Sequence, residues 1–227
     1  MDAQVATLGN SPLFAALDPQ AQQELRASME EVRLSRGQIL FNEGDRGDRL
    51  YIVISGKVKL GRTSPDGRDN LLAVLGPGEM FGELSLFDPG PRTATATAVT
   101  ATALIALGHG DLHPWLRTRP AVAGQLLAAL ARRLRRTNEA MADLVFSDVP
   151  GRVAKALLDM AQRFGTTTDD GLRVTHDLTQ EELAQLVGAS RETVNKALAD
   201  FAGRGFLRLE GRAVVILDVE RLTRRAG

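Results

Sequence analysis

The segment of residues 120–146, PAVAGQLLAALARRLRRTNEAMADLVF, constrains the fold most, because good helix formers dominate it from end to end. Its one glycine, Gly124, lies in the first turns. Pro120 suits a first helical position, where its missing N–H group costs nothing. The segment therefore predicts one long helix.

Apolar residues recur along this helix in alternating steps of four and three. These seam residues are Ala123, Leu127, Leu130, Leu134, Met141 and Leu144. Such a seam is typical of a two-stranded coiled coil, but a helix packed on its own domain shows the same spacing. The chain on either side, all-β before and helix-turn-helix after, favours a helix that connects two domains and forms a dimer. Thr137 is the polar seam position, with Asn138 beside it, and one polar residue there can also fix the register of a coiled coil.

The composition of the chain excludes several classes of function. The chain has no cysteine, which excludes disulfides and thiol catalysis and agrees with a reducing cytoplasm. The segment MDAQVATLGN lacks the pattern of a signal peptide, and no apolar stretch is long enough to span a bilayer, so we expect a cytoplasmic protein without a membrane partner. The net charge is zero, so any DNA-binding argument must rest on local arrangement.

The first hundred residues predict a β domain after one short helix, which Asp18 caps and Pro19 opens. Short apolar or alternating segments follow, separated by glycine-containing turns: QILF, LYIVI, KVKLGR, NLLAVL and TATAVTATALIAL. Many short strands with frequent turn signals indicate a sandwich or barrel.

The loop between the last strands carries polar residues suited to an anion. Gly82, Glu83, Leu84 and Ser85 can open one helical turn whose first N–H groups face a ligand, and Arg92 with Thr93 offers a cation and a hydroxyl to phosphate oxygens. Two alternatives stay open. Glu83 and Arg92 can simply pair with each other across the loop, or they can serve a phosphodiesterase, although no paired carboxylates or activated nucleophile accompany them.

The run FGELSLFDPGPRTATA resembles the phosphate-binding cassette of cyclic-nucleotide-binding domains in the CRP/FNR family of bacterial regulators, and EGDRGDRLYIVISGKVKL resembles that family's β-roll. The resemblance implies that Glu83 binds a ribose 2′-hydroxyl and that Arg92 and Thr93 bind the cyclic phosphate of cAMP. Backbone groups around Gly82 would complete the pocket. It further implies that Thr137 contacts adenine from its own subunit and Asn138 from the partner.

After the long helix, Ser147 to Pro150 interrupts the helical pattern, and we interpret this joint as a hinge or a rigid corner. Asp148 or Ser147 caps a second helix that ends at Gly165, and TTTDDG is predicted to be a loop.

Residues 178–198 predict a helix-turn-helix. Thr179 and Glu182 form a capping box, Gly188 ends the first helix, and Ser190 caps the second. Any helical hairpin shows capping and apolar spacing, but ASRETVNKAL is also close to the family's recognition helix. The predicted DNA-contacting residues, placed on its outer face or at the helix starts, are Thr179, Ser190, Arg191, Glu192, Asn195 and Lys196.

By the same resemblance Arg191 binds guanine and Glu192 accepts from cytosine, which suits their chemistry. Lys196 stands where the family often has Arg. Residues 206–216 alternate around a glycine turn and predict a β-hairpin wing, while the basic tail RLTRRAG is expected to be solvated.

The sequence as a whole predicts an α+β protein in three parts. These are a cyclic-nucleotide-binding β-roll (jelly roll) over residues 1–118, a central dimerisation helix over 119–147 and a winged helix-turn-helix over 148–227. The implied function is that of a homodimeric, cAMP-responsive transcription regulator, not an enzyme, which binds a palindrome with TGTGA-like half-sites and works with RNA polymerase. The alternative is a regulator of the same family that responds to another effector or binds DNA constitutively.

The histidines His109, His113 and His176 are interpreted as too scattered for a metal or haem site.

Overall fold

The computed structural model describes residues 7–9, 11, 14–15, 17–88 and 90–227. Most of the segment MDAQVATLGN, on which the signal-peptide prediction rests, lies outside them. The chain divides into two compact units. The first consists of residues 1–62 and 72–135, and the second of residues 63–71 and 136–227.

The first unit contains two four-stranded antiparallel sheets, as the short apolar segments predict. The strands are β1 (Glu30–Leu34), β2 (Ile39–Phe41), β3 (Arg49–Ser55), β4 (Val58–Thr63), β5 (Asp69–Leu75), β6 (Met80–Phe81), β7 (Thr95–Ala98) and β8 (Thr102–Gly108). One sheet has the order β1-β8-β3-β6, and the other has the order β2-β7-β4-β5. The tip of the β4–β5 hairpin is grouped with the second unit.

Helices cover the outer face of the first sheet. They are α1 (Pro19–Ala27), α3 (His109–Thr118) and α4 (Pro120–Phe146), whereas the short helix α2 (Leu84–Phe87) lies in the loop after β6. Leu50 and Ile52 of β3 pack with Leu25, Leu112 and Leu126 of the helices. The alternate residues of the strand face the second sheet, so β3 is buried on both sides and is apolar almost throughout. Asp18 caps α1 through its bond from the N–H of Ala21, as predicted.

The long helix spans Pro120 to Phe146 without interruption, as predicted. Val122 and Leu126, in its first two turns, are buried in the core of the first unit. Beyond that point large apolar side chains of the predicted seam are solvent-exposed within the single chain: Leu127, Leu134, Met141 and Leu144.

The second unit continues with α5 (Val149–Phe164), β9 (Gly165–Thr168), β10 (Gly171–Thr175), α6 (Gln180–Val187), α7 (Arg191–Gly203), β11 (Leu207–Glu210), β12 (Ala213–Ile216) and α8 (Val219–Ala226). Its strands form one antiparallel sheet with the order β11-β12-β10-β9. The predicted wing is confirmed as the β11–β12 hairpin, which turns at Gly211 with φ +63°.

The prediction of a loop for TTTDDG is wrong, because its three threonines belong to β9 and its glycine begins β10. Threonine is β-branched and suits a strand, and the two aspartates make the turn. Gly171 lets the backbones approach closely, since a Cβ there would lie 2.3 Å from the carbonyl oxygen of Ile216.

The basic tail forms α8 and is largely occupied by ion pairs within the second unit. Arg221 pairs with Asp218, and Arg225 pairs with Asp148. The expectation of merely solvated charge therefore misses these contacts. Within the described residues, no helix combines the length and the apolarity needed to cross a bilayer.

Candidate functional site

The binding loop (residues 82–93) begins with a glycine that no other residue can easily replace. Gly82 follows β6 with φ +79°, a conformation that favours glycine. A Cβ atom there would lie 2.8 Å from Nη1 of Arg92 and 3.0 Å from the carbonyl oxygen of Arg49. The glycine thus permits both the turn and the close approach of Arg92.

Arg92 is buried, with 4% of its surface exposed, and its guanidinium is held in place from two sides. Nη1 donates to the carbonyl oxygen of Gly82 over 2.8 Å, and Nη2 donates to that of Arg49 over 2.9 Å. The guanidinium carbon lies 4.2 Å from the centre of the Phe41 ring. Nε is buried without a hydrogen-bond partner among the described residues, so the group retains one unsatisfied donor.

Glu83 is still more deeply buried, with 1% exposed. Its Oε1 accepts from Nη1 of Arg133 over 2.7 Å, whereas its Oε2 is buried without a partner among the described residues. The alternative in which Glu83 pairs with Arg92 across the loop is therefore not what the structure shows. Arg92 bonds backbone carbonyls, and the counter-ion of Glu83 comes from α4.

Sequence reasoning missed Arg133. It belongs to the run ARRLRR, and its residue type does not separate it from the other arginines there. In the structure Arg133 is half-buried, while Arg132, Arg135 and Arg136 are exposed. The available signal was its helical position, one turn before Thr137 on the same face of α4.

A cavity of about 590 Å³ lies beside the binding loop, a size typical of small-molecule sites. Its lining residues are Gly44, Arg46, Gly47, Asp48, Ser85, Gly90, Pro91 and His109. Ser85 is 7% exposed, and Glu83 and Arg92 are not among the lining residues. A Cβ at Gly47 would lie 2.5 Å from that of Ser85 and 2.9 Å from the Arg92 guanidinium carbon, so Gly47 leaves room for both.

The structure thus brings Gly82, Glu83, Ser85 and Arg92 together in the first unit. The other predicted ligand contacts have exposed side chains: Leu84, Thr93, Thr137 and Asn138. Thr137 and Asn138 lie on the part of α4 that is grouped with the second unit, and their ligand role stays a prediction.

The helix-turn-helix is built as its sequence predicts. Thr179 and Glu182 form the capping box of α6, with bonds of 3.1 and 2.7 Å. Gly188 ends α6 in the left-handed conformation, with φ 62° and ψ 48°. Arg152 of α5, which sequence reasoning missed, donates to the carbonyl oxygens of Val187 and Gly188 and so ties the turn to the rest of the unit.

The start of α7 presents an exposed polar surface. Ser190 caps the helix by accepting from the N–H of Thr193, and Arg191 is exposed beside it. Glu192 and Lys196 form an exposed ion pair of 2.7 Å. Asn195, predicted on the same outer face, is instead half-buried, and its Oδ1 is buried without a partner among the described residues.

These features define a class of protein that has a two-sheet domain, with a buried arginine and glutamate in one loop, and a winged helix-turn-helix. Residues 31–119 match the family described as Cyclic nucleotide-binding domain, and residues 151–225 match the Crp-like helix-turn-helix domain.

The whole chain also resembles known proteins. It is 60% identical over 219 residues to a "CRP-like cAMP-activated global transcriptional regulator" of Mycobacterium tuberculosis, with 96% of this chain and 98% of that protein covered. It is 44% identical to the "Cyclic AMP receptor protein" of Thermus thermophilus, over 93% of this chain and 95% of that one. FixK2 from Bradyrhizobium japonicum shares the fold, with a TM-score of 0.79 at 24% identity over 88% of this chain and 98% of that one.

The chain therefore belongs to the CRP family of transcription regulators. It is a DNA-binding regulator, and its relatives are transcription regulators rather than enzymes.

Proposed function

We propose that the protein is a homodimeric, cAMP-responsive transcription regulator. One observation carries the ligand part of the proposal: Nε of Arg92 and Oε2 of Glu83 are both buried without partners among the described residues. A buried polar group without a hydrogen bond costs about 1–3 kcal/mol. A ligand that bonds both groups therefore gains binding free energy from each of them. A cyclic nucleotide offers both kinds of partner. Its phosphate oxygens accept a hydrogen bond from Arg92, and its ribose hydroxyl donates one to Glu83.

Each residue of the binding loop contacts the part of the nucleotide that suits its chemistry. Arg92 supplies the charge for the cyclic phosphate, and Thr93 adds an exposed hydroxyl donor. Backbone groups of Gly82 and Leu84, with the Ser85 hydroxyl, complete the anion site. Glu83 accepts from the ribose 2′-hydroxyl through the oxygen that Arg133 does not occupy.

The exposed seam of α4 supports the dimer. Four large apolar side chains, at Leu127, Leu134, Met141 and Leu144, are between 57% and 66% exposed in the single chain. Their spacing of seven and three residues suits a twin helix, and burying them there removes apolar surface from water. In this dimer Thr137 contacts adenine from its own subunit and Asn138 from the partner subunit.

The DNA part of the proposal rests on the exposed start of α7. Arg191 binds guanine in the major groove and Glu192 accepts from a cytosine amino group, as in an operator with TGTGA-like half-sites in inverted repeat. Lys196 contacts guanine or phosphate, while Thr179 and Ser190 contact the backbone. Asn195, which is half-buried, contributes only at the edge of the surface. Two recognition helices of a dimer bind half-sites about 34 Å apart.

Contacts at the joint after α4 indicate how DNA-binding geometry can depend on that helix. Asp143 near the end of α4 pairs with Lys155 of α5 over 2.7 Å, and the carbonyl oxygen of Ser147 accepts from Arg152 over 2.7 Å. A change at α4 is thereby passed to the same arginine that holds the helix-turn-helix turn. Ligand coupling of this kind is typically worth about 1–3 kcal/mol. RNA polymerase is a further partner of the protein in this proposal. The protein would act in the cytoplasm.

A binding experiment tests the proposal directly. We expect calorimetry to show cAMP binding by the wild type, strong weakening in Arg92→Ala, and little change in Arg68→Ala, where the arginine is 83% exposed and pairs with Asp66. A mobility shift on a TGTGA-type palindrome should be stronger with cAMP than without it.

Equal DNA affinity with and without cAMP, together with no calorimetric binding, would reject the cAMP mechanism and leave a regulator that answers another effector or acts constitutively. Because Arg92 also bonds two backbone carbonyls, its replacement is checked for folding by circular dichroism.

A further inference from the structure

His109 and His113 lie one helical turn apart on α3, and their ring centres are 5.5 Å apart. These two histidines therefore lie closer together in the structure than the interpretation of three scattered histidines implies. Positions i and i+4 share one face of a helix, and two histidines at this spacing are a known arrangement of zinc ligands. Both side chains are exposed.

The two imidazoles stand at a small cavity of about 220 Å³, whose other lining residues are the apolar Phe87, Leu112 and Leu116. Leu112 and Leu116 are on α3 itself, and Phe87 is the last residue of α2. Partly apolar surroundings strengthen a metal–imidazole bond, because they keep competing water and charge away from one side.

The separation of the rings suits a single metal ion. A Zn–N bond of about 2.0–2.1 Å, extended to the middle of an imidazole, places the ring centre roughly 3.2 Å from the metal. Two ring centres 5.5 Å apart then subtend an angle of about 115–120° at the metal, close to the tetrahedral value. Since both rings are exposed, small rotations that turn their nitrogens toward one point cost little.

We propose that His109 and His113 form a two-imidazole site for a divalent transition ion such as Zn²⁺, Ni²⁺ or Cu²⁺. Among the described residues no third His, Asp or Glu lies close enough to complete a protein-only centre, so water occupies the other coordination positions. Imidazole ligands favour these ions over Mg²⁺ and Ca²⁺, which prefer oxygen. Neither Glu83 nor Arg92 lines the small cavity.

The helix that carries the pair is well anchored. The backbone N–H of His109 donates to the carbonyl oxygen of Asp48 over 3.1 Å, and Leu112 is 1% exposed in the core of the first unit. The imidazoles thus project from a fixed backbone, which lowers the ordering cost of binding an ion. His109 also lines the larger cavity beside the binding loop, so the two cavities share this side chain.

Calorimetric titration of the untagged full chain with ZnCl₂ tests the site, using His109→Gln and His113→Gln. We expect one bound ion per chain and, in each single variant, a loss of ion affinity at least as large as the ~10–100-fold that removal of an outer-shell partner costs. Cu²⁺ should bind more tightly than Zn²⁺, and Mg²⁺ should not compete. His176→Gln is unsuitable as a control because His176 is buried, so Arg117→Gln, an exposed site on the same helix, serves instead.

Nuclear magnetic resonance of the histidine rings provides the second measurement. Zn²⁺ should shift the ring signals of His109 and His113 and leave those of His176 unchanged. Wild-type Zn²⁺ affinity in the double variant, no binding by the wild type, or shifts confined to His176 would each overturn the proposal. Because both side chains are exposed, the variants are expected to keep the melting temperature of the wild type without metal.

Discussion

Nη1 of Arg133 lies 2.7 Å from Oε1 of Glu83 and so joins the long helix to the binding loop across 50 residues of sequence. One oxygen of the glutamate is committed to the helix, and the other is buried and unsatisfied among the described residues. A ligand hydroxyl that binds Glu83 therefore acts on the same carboxylate that holds Arg133. This gives α4 a direct contact with the proposed ligand-binding group, beyond its exposed seam.

Replacing Arg133 by methionine should destabilise the first unit. The change keeps an aliphatic chain but leaves the buried Glu83 carboxylate without its charged donor, a loss of about 1–3 kcal/mol in the free energy of unfolding. The chain has a single tryptophan, Trp115 on α3, so its fluorescence during urea unfolding reports on this unit.

Arg132→Met is the matched control, because Arg132 is an exposed neighbour on the same helix. The double variant Glu83→Gln with Arg133→Met should lose less than the sum of the two single changes, as expected for residues in contact. Equal stabilities of the Arg132 and Arg133 variants would show that the ion pair contributes nothing measurable.

Gly82→Ala should lower the free energy of unfolding by more than the strain of an alanine at positive φ alone. Gly82 and Gly37 have nearly identical φ values of +79° and +80°, but a Cβ at Gly37 meets nothing within 4 Å, whereas one at Gly82 meets Arg92. Both alanines incur the left-handed penalty, about 1–2 kcal/mol. The overpacking at Gly82 adds about 1–3 kcal/mol.

Urea unfolding of the two glycine variants measures the difference, and cAMP titration shows whether the displacement of Arg92 weakens nucleotide binding. We expect Gly37→Ala to keep wild-type cAMP affinity. If the two alanines prove equally destabilising, the contact between residue 82 and Arg92 is relieved without cost.

The sequence predicts most of the fold because local signals and tertiary packing agree. The long helix has strong formers throughout, and the caps at Asp18, Asp148, Thr179 and Ser190 all form as their residue types suggest. The sequence carries no comparable signal for helix α3, because Pro114 lies inside the helix and Gly108 and Gly110 lie at its start. It is held by burial of Leu112, which is a tertiary effect.

The candidate site was predictable only in part, for a similar reason. Gly82, Glu83 and Arg92 are adjacent in one loop, so their chemistry is apparent from the chain. Arg133 and Arg152 reach their partners over 50 and 35 residues, and several arginines nearby are chemically identical. Which of them turns inward depends on how the helices pack, and a single sequence does not contain that signal in local form.

Arg191→Ala should relax base specificity at one operator position and cost about 1–3 kcal/mol there. Arg191 is exposed at the start of α7, next to the Glu192–Lys196 ion pair, and can make a bidentate contact with guanine. Selection from half-sites randomised at each position, followed by mobility shifts at fixed salt, measures the effect. Arg204→Ala, at the far end of the same helix where the arginine pairs with Asp200, should leave specificity unchanged. A uniform loss across all sequences would instead make Arg191 a phosphate contact.

Acid should weaken the second unit through Asp148, which caps α5 and holds the C-terminal helix. Its Oδ1 accepts from the N–H of Gly151 over 2.9 Å, and its Oδ2 accepts from Nη2 of Arg225 over 2.6 Å. The hydrogen bond from Arg225, with that from Gly151, holds the pKa of the Asp148 carboxyl below its usual value. Since the folded pKa is the lower one, the stabilisation is present above the unfolded pKa of about 3.9 and is lost as pH falls through the folded value.

Asp148→Asn isolates this contribution, because asparagine can still cap the helix but does not titrate. We expect the difference in unfolding free energy between wild type and Asp148→Asn, followed by far-ultraviolet circular dichroism in urea, to be constant above about pH 5 and to shrink below about pH 4. Arg225→Met should remove most of this pH dependence, since the hydrogen bond from Arg225 is the largest cause of the lowered Asp148 pKa. Asp148→Ala should lose a further ~0.5–2 kcal/mol at every pH, because the cap itself is gone. A difference between wild type and Asp148→Asn that stays constant down to about pH 3 would mean that the carboxyl keeps its unfolded-state pKa of about 3.9 and that Arg225 does not act on it.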